Sequence, residues 1–114
     1  MWLGGGGALL KGIDMVLEAF SELPEAELYI GGNLQQEELF WEWAKPLIEK
    51  HPNIHYLGWV DTSSPEFDAI ADQCIAMVYP SASEGGPATV ARGLFNGQIP
   101  IVTRASNVRA EHLV

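Results

Sequence analysis

The chain has 114 residues, enough for one domain with a buried core, and 47% of them are hydrophobic, which argues against disorder. Its 15 acidic and 6 basic residues give a formal net charge of −9, which argues against non-specific binding to nucleic acid or to an anionic membrane surface. The lone Cys74 excludes an internal disulfide and fits a reducing, cytoplasmic compartment. Scattered histidines without zinc-site spacing indicate neither a metal nor a cofactor.

The sequence predicts four helices in chain order, the first two from apolar residues at helical spacing and the others from their end signals. The first, in KGIDMVLEAFSEL, has one apolar face and ends at Pro24. The second covers about Gln35–Lys50. Ser64 caps the third and Pro65 takes its first position, while the fourth covers Pro87–Asn96.

The aromatic cluster of the second helix predicts which side of that helix is buried. Phe40 and Trp43 share the spacing of the apolar face, so we expect both to pack in the core. Trp41 lies off that face, so we expect it to be exposed and available to a partner helix or to another domain.

Five apolar strands alternate with these helices, in MWLG, AELYIGG, IHYLGWV, CIAMVYP and IPIVT. This alternation predicts an α/β fold with a parallel sheet covered on both faces. Right-handed crossovers favour a doubly wound sheet of order 3-2-1-4-5. A ligand crevice then lies outside the carboxyl ends of strands 1 and 4, between the loops GGGGALLKG and PSASEGGPA.

The first loop fits neither standard glycine motif. The third glycine of G-x-G-x-x-G is replaced by Leu9 or Leu10, and Lys11 is not followed by Ser or Thr as in a P-loop. Glycines such as Gly6 and Gly7 nevertheless let backbone N–H groups approach a ligand, beside a helix start and the Lys11 charge. The loop is either a cradle for a diphosphate or a flexible turn with a solvated lysine.

The second loop combines hydrogen-bond donors with one acceptor. The N–H groups of Gly86, Ala88 and Thr89 lie at a helix start, where they suit sugar hydroxyls or phosphate oxygens. Glu84 either accepts from a polyhydroxylated ligand or caps a nearby backbone group. Ser81 either donates to phosphate or shapes the turn.

Four segments carry a resemblance to a known family: KGIDMVLEAF, LYIGG, NIHYLGWVD and YPSASEGGPATVARGLFNGQIPIVT. They resemble the nucleotide-sugar-binding C-terminal domain of GT-B glycosyltransferases, in particular the retaining family-four group, also called group 1. The elements occur in the order and spacing of that family from about residue 2 to residue 111. The resemblance implies the Rossmann-like half of a GT-B fold, truncated at its C-terminus, so residues 1–114 are expected to form a partial donor-binding domain.

The resemblance also implies roles for individual residues. Lys11 matches the lysine that contacts the donor diphosphate, and Glu84 matches the first glutamate of the E-x7-E motif at the donor sugar. These two are the expected catalytic residues. The donor-binding set adds the nucleobase segment and the loop that touches sugar and phosphate: Trp59, Val60, Gly85, Gly86 and Ala88.

Two positions depart from the family pattern. Arg92 replaces the second glutamate, which accepts from the ribose hydroxyls, and arginine has donors but no acceptor. Gly6 stands where many members carry an arginine, so a bidentate partner for the diphosphate is missing. Arg92 would replace that partner in part, and only if it reaches the phosphate.

The expected function is that of the donor half of a retaining hexosyltransferase, which moves a sugar from a nucleoside diphosphate sugar to a hydroxyl acceptor. The acceptor would bind an absent N-terminal domain, so the fragment alone is expected to be inactive. Peripheral membrane association stays open for the full-length enzyme only. The alternatives are a non-catalytic Rossmann-like module with a degenerate donor site and, third, a nucleotide-sugar epimerase.

Overall fold

The computed structural model describes residues 1–82 and 88–106 of the chain. In these residues parallel strands alternate with α-helices, which confirms the predicted α/β class. The elements in chain order are β1 (Trp2–Leu3), α1 (Ile13–Ser21), β2 (Leu28–Gly31), a 3-10 turn (Leu34–Gln36), α2 (Glu38–Lys50), β3 (Ile54–Gly58), α3 (Pro65–Ala71), β4 (Ala76–Tyr79), α4 (Ala88–Phe95), β5 (Ile99–Val102) and a second 3-10 turn (Arg104–Ser106). The predicted cap of α3 is confirmed, because the Ser64 side chain accepts from the Phe67 N–H.

The strands form two sheets, so the single sheet of order 3-2-1-4-5 is not confirmed. One sheet has three strands in the order β1-β2-β3, and the other pairs β4 with β5. The two sheets meet at Met1, whose amino group donates to the Ala76 carbonyl at 2.9 Å and whose carbonyl accepts from the Val78 N–H at 2.9 Å. Met1, which makes both bonds, directly precedes the two-residue strand β1.

Two clusters of buried side chains form the core. The larger includes Trp2, Leu28 and Ile30 and packs against α1 and α2, while the smaller holds Leu3 and Met77 against α3. Alternate residues of β1 therefore contribute to different clusters, as expected for a strand buried on both faces. Glycines follow the carboxyl ends of two strands, at Gly4–Gly7 after β1 and Gly32 after β2.

The expected exposure of the α2 aromatics is wrong for both tryptophans. Trp41 packs on Tyr56, with ring centroids 5.0 Å apart, whereas Trp43 is 41% exposed. The reason is the width of the apolar stripe, which is completed by Leu47 and Ile48 as well as Phe40 and Ala44. At 100° per residue Ile48 lies on the same side of the helix as Trp41, so the stripe extends to Trp41.

Asn53 connects the segments at the amino edge of the three-stranded sheet through hydrogen bonds. Its buried side-chain amide donates to the carbonyls of Phe20, Leu23 and Ala26 at 2.9, 3.1 and 3.0 Å. Its own carbonyl accepts from the Leu28 N–H at 2.8 Å. One residue before β3 therefore fixes the end of α1 and the start of β2.

In the described ranges, no helix has the length and apolar character needed to cross a membrane. The longest, α2, has 13 residues and includes charged side chains.

Candidate donor site

A cavity of about 550 Å³ opens at the carboxyl ends of β1, β2 and β3, within the usual size range of small-molecule sites. The start of α4 forms another of its walls. The described lining residues are Leu3, Gly4, Gly5, Gly6, Gly31, Gly32, Asn33, Gln36, Glu37, Trp59, Val60, Thr62, Ala88, Thr89 and Arg92. Glycine and other small residues contribute much of this lining, and its surface is more apolar than polar.

The four glycines after β1 have different surroundings. A Cβ on Gly4 would lie 2.2 Å from the Trp2 ring, so this glycine is required by packing. A Cβ on Gly5 or Gly6 would meet nothing within 4 Å, and both residues line the cavity. Gly7 turns the chain with φ 78° and is not among the lining residues. The glycines therefore differ in role: Gly4 is required by packing, Gly5 and Gly6 line the cavity, and Gly7 forms a turn.

Three N–H groups around the start of α1 are already hydrogen-bonded within the protein. Those of Lys11, Gly12 and Ile13 donate to carbonyls of the preceding turn at 3.1–3.3 Å. These three groups do not provide the free donors that a diphosphate cradle at this helix start requires. The helix that presents its start to the cavity is α4, through Ala88 and Thr89.

Lys11 lies at this edge of the structure but outside the cavity lining. Its Nζ donates to the Tyr79 hydroxyl at 3.0 Å and lies 5.7 Å from the centre of that ring. Tyr79, at the end of β4, is only 2% exposed. The lysine is therefore directed toward the carboxyl end of β4, where the second loop begins.

The two loops meet at their described ends. The Ala82 N–H donates to the Leu10 carbonyl at 2.7 Å, and the buried Ser81 hydroxyl donates to the same carbonyl at 3.4 Å. Thr103, after β5, donates from Oγ1 to the Ser81 carbonyl at 2.5 Å. Ser81 is thus placed between loops and not in the cavity lining. Glu84, Gly85 and Gly86 lie outside the described residues.

Trp59 and Val60 follow β3 and form one wall of the cavity. Trp59 is 68% exposed, which leaves its ring available for stacking on a flat ligand. Val60 packs toward Gly31, where a Cβ would come within 2.9 Å of the valine side chain. A side chain at position 31 would therefore collide with this wall of the cavity.

Arg92 lines the cavity from α4 but is bound by groups around α3. Its Nη2 donates to the Thr62 carbonyl and lies 3.3 Å from the Asp68 carboxylate. The guanidinium also lies over the rings of Phe67 and Phe95, 5.5 and 5.2 Å from their centres. The position that carries an acceptor in the family pattern therefore holds a positively charged donor in this chain.

Two residues that sequence reasoning missed organise the loop after β2. Both carboxylate oxygens of Glu37, in the cavity lining, accept from the Ala8 N–H, at 3.0 and 3.2 Å. Tyr56 accepts from the Leu34 N–H at 3.1 Å and donates to the Gly32 carbonyl at 2.7 Å, and burial raises its pKa above 10.0. Glu37 resembles any surface glutamate in the sequence, so no periodicity indicated it.

Of the predicted site residues, the cavity brings together Gly6, Trp59, Val60, Ala88 and Arg92. Among the described residues, no group of three His, Cys, Asp or Glu side chains is arranged to hold a metal ion.

An α/β domain with a cavity at the carboxyl ends of its parallel strands belongs to a broad class of ligand-binding folds. Within that class the sequence comparison is specific, since residues 2–113 match the sequence model of the family described as glycosyl transferases group 1. The chain belongs to this family, which places it among glycosyltransferases and implies a sugar donor and an acceptor as substrates. A comparison with curated proteins gave no match.

Proposed function

We propose that this chain is the donor-binding domain of a retaining glycosyltransferase that moves a hexosyl group from a nucleoside diphosphate sugar to a hydroxyl acceptor. The observation that carries the proposal is the cavity of about 550 Å³, which combines open glycine backbone, an exposed indole and a helix start. Each part suits a different portion of such a donor. Family membership supports the reaction class.

The proposed arrangement assigns the base to Trp59, because an exposed aromatic face stacks on a flat ring. The diphosphate lies near Ala88 and Thr89, where the positive end of the α4 dipole stabilises negative charge. Lys11, held by Tyr79 at the same edge, supplies further positive charge toward the departing diphosphate. Glu84 is proposed to orient the sugar.

The architecture proposed for the whole enzyme places the acceptor on a separate N-terminal domain, so residues 1–114 alone would bind donor without transferring sugar. Within the C-terminal domain, β1–β5 would form one sheet in the order 3-2-1-4-5. The two main-chain hydrogen bonds of Met1 to β4 support this continuity.

Titration calorimetry of the chain with UDP, GDP and ADP tests the donor site. We expect one nucleotide to bind saturably and Lys11→Ala to weaken its binding. Lys45→Ala is the matched control, because Lys45 is exposed and paired only loosely with Glu49 at 4.0 Å. Equal affinity in the wild type and Lys11→Ala would remove Lys11 from the site.

The second candidate is a non-catalytic module with a degenerate donor site. It is favoured by the observation that Arg92 is bound to Thr62 and Asp68 where the family pattern has an acceptor. Failure of all three nucleotides to bind the folded chain at millimolar concentration would support this candidate against the first.

A further inference from the structure

The described cavity lining contains one carboxylate, that of Glu37. It lies on the segment between β2 and α2, whereas the positively charged Arg92 and the α4 start lie on another wall. The cavity thus offers an anionic acceptor and cationic donors on different elements. A ligand that carries hydroxyl groups at one end and negative charge at the other matches this distribution.

The Glu37 carboxylate is held in place before any ligand binds. Both of its oxygens accept from the single N–H of Ala8, which is fully buried. A carboxylate offers about four lone-pair directions, so one N–H uses only part of its capacity. Tyr56 fixes the same segment through Gly32 and Leu34, which limits the entropy that a ligand would have to remove.

Position 92 does not supply this acceptor. Its arginine has only donors, and one of them is bound to the Thr62 carbonyl and the Asp68 carboxylate. A pair of vicinal hydroxyls at the cavity therefore needs another acceptor, and Glu37 is the carboxylate that the described lining provides.

We infer that Glu37 accepts hydrogen bonds from vicinal hydroxyls of the bound nucleotide sugar and selects ligands that carry them. This inference rests on the proposed function, since it assumes a nucleotide in the cavity. The hydroxyls belong either to the ribose or to the transferred sugar, and the experiment separates these two sources.

The test compares Glu37→Gln with the wild type in calorimetric titrations. Glutamine keeps an oxygen for the Ala8 N–H but removes the charge and weakens acceptance from hydroxyls. Glu38→Gln is the matched control, because Glu38 is the adjacent residue and is exposed. Thermal unfolding of both variants checks that the fold is kept.

For whichever of UDP, GDP or ADP binds, Glu37→Gln is expected to weaken binding about tenfold, and Glu38→Gln to leave it unchanged. The wild type is expected to bind the 2′,3′-dideoxy analogue about tenfold more weakly, with no further loss in Glu37→Gln. If the variant does not fold, equal binding of the normal and dideoxy nucleotides by the wild type would still contradict the assignment of the hydroxyls to the ribose. A loss confined to the nucleoside diphosphate hexose, with the bare nucleotide unaffected, would assign the hydroxyls to the sugar.

Unchanged binding of every ligand by Glu37→Gln, or equal weakening of the normal and dideoxy nucleotides, would overturn the inference. Tighter binding of all nucleotides by the variant would also overturn it, because the carboxylate would then repel the phosphates. These outcomes leave the proposed donor site intact. Absence of nucleotide binding to the wild type, in contrast, would overturn the donor site and this inference together.

Discussion

The amino and carboxyl edges of the three-stranded sheet are built in opposite ways. At the amino edge Asn53 is 5% exposed, and its side chain donates to three carbonyls, one at the end of α1 and two in the connection from α1 to β2. At the carboxyl edge the chain presents glycine backbone and the exposed Trp59 around a cavity of about 550 Å³. At the amino edge one buried side chain satisfies the main-chain carbonyls, whereas the carboxyl edge holds a cavity.

The difference shows where stability and ligand binding are separated in this domain. The hydrogen bonds at the amino edge are buried and lie outside the cavity lining. Their loss should therefore lower the free energy of unfolding and leave the affinity for a ligand unchanged. Exposed groups at the carboxyl edge contribute little to folding, so their loss should change affinity alone. Substitutions at the two edges test this separation directly.

The largest expected effect is that of Asn53→Ala. It leaves three carbonyls near the core without their shared donor, and we expect the free energy of unfolding to fall by about 2–3 kcal/mol. Urea denaturation measures this loss, with Gln35→Ala as the exposed amide control. A change below about 0.5 kcal/mol would show that the amino edge does not depend on Asn53.

Gly32→Ala is expected to be nearly as costly, although it lies at the carboxyl edge. Gly32 has φ 147°, and a Cβ there would lie 2.4 Å from the Gly4 carbonyl oxygen. We expect a loss of about 2 kcal/mol, because both the backbone conformation and the close contact disfavour a side chain. Gly5→Ala has open space and should change stability by less than about 1 kcal/mol in either direction. Equal effects in the two variants would contradict the assignment of separate roles to these glycines.

Tyr56→Phe should lower the free energy of unfolding by about 1–2 kcal/mol, because the Leu34 N–H and the Gly32 carbonyl lose their partner. The pKa of Tyr56 is raised above 10.0 in the folded protein, so the unfolded chain releases this proton first as pH rises. The associated stability is therefore fully present below pH 10 and is lost above it. Urea denaturation from pH 8 to 11 should show a shallower decline for Tyr56→Phe than for the wild type, and parallel declines would refute the linkage.

Trp59→Ala should have the smallest effect on folding, within about 0.5 kcal/mol, because the side chain is 68% exposed. We expect it to weaken nucleotide binding by up to about tenfold through lost stacking. Trp43→Ala is the matched control, since Trp43 is also partly exposed and lies outside the cavity lining. Calorimetric titration of both variants measures the difference, and equal affinities would remove Trp59 from the site.

The element pattern of the fold could be predicted from the sequence because it rests on local regularities. Apolar spacing indicates the first two helices, and Ser64 with Pro65 marks the start of α3 correctly. The buried stripe of α2 is wider than the apolar spacing predicts, and the predicted exposures of Trp41 and Trp43 are therefore wrong. Residue spacing alone does not show how far a sheet wraps around a helix.

The candidate site could be predicted only in part. The strand order predicts Gly6 and Ala88 at one crevice, because the carboxyl ends of parallel strands meet at the same edge, whereas Trp59 is indicated only by the family resemblance. Glu37 and Asn53 were missed because each acts on main-chain groups far away in the sequence. Such contacts depend on three-dimensional packing and have no periodic signature.

The left-handed Gly12, with φ 75°, has a consequence for how this region can change. A Cβ at this position would lie 2.3 Å from the Pro80 carbonyl oxygen, so the turn before α1 and the turn after β4 fit against each other as one piece. A homologue or variant with a larger residue at position 12 would need the backbone at Pro80 to move away. Engineering a new donor preference by loop grafting should therefore transplant both turns together.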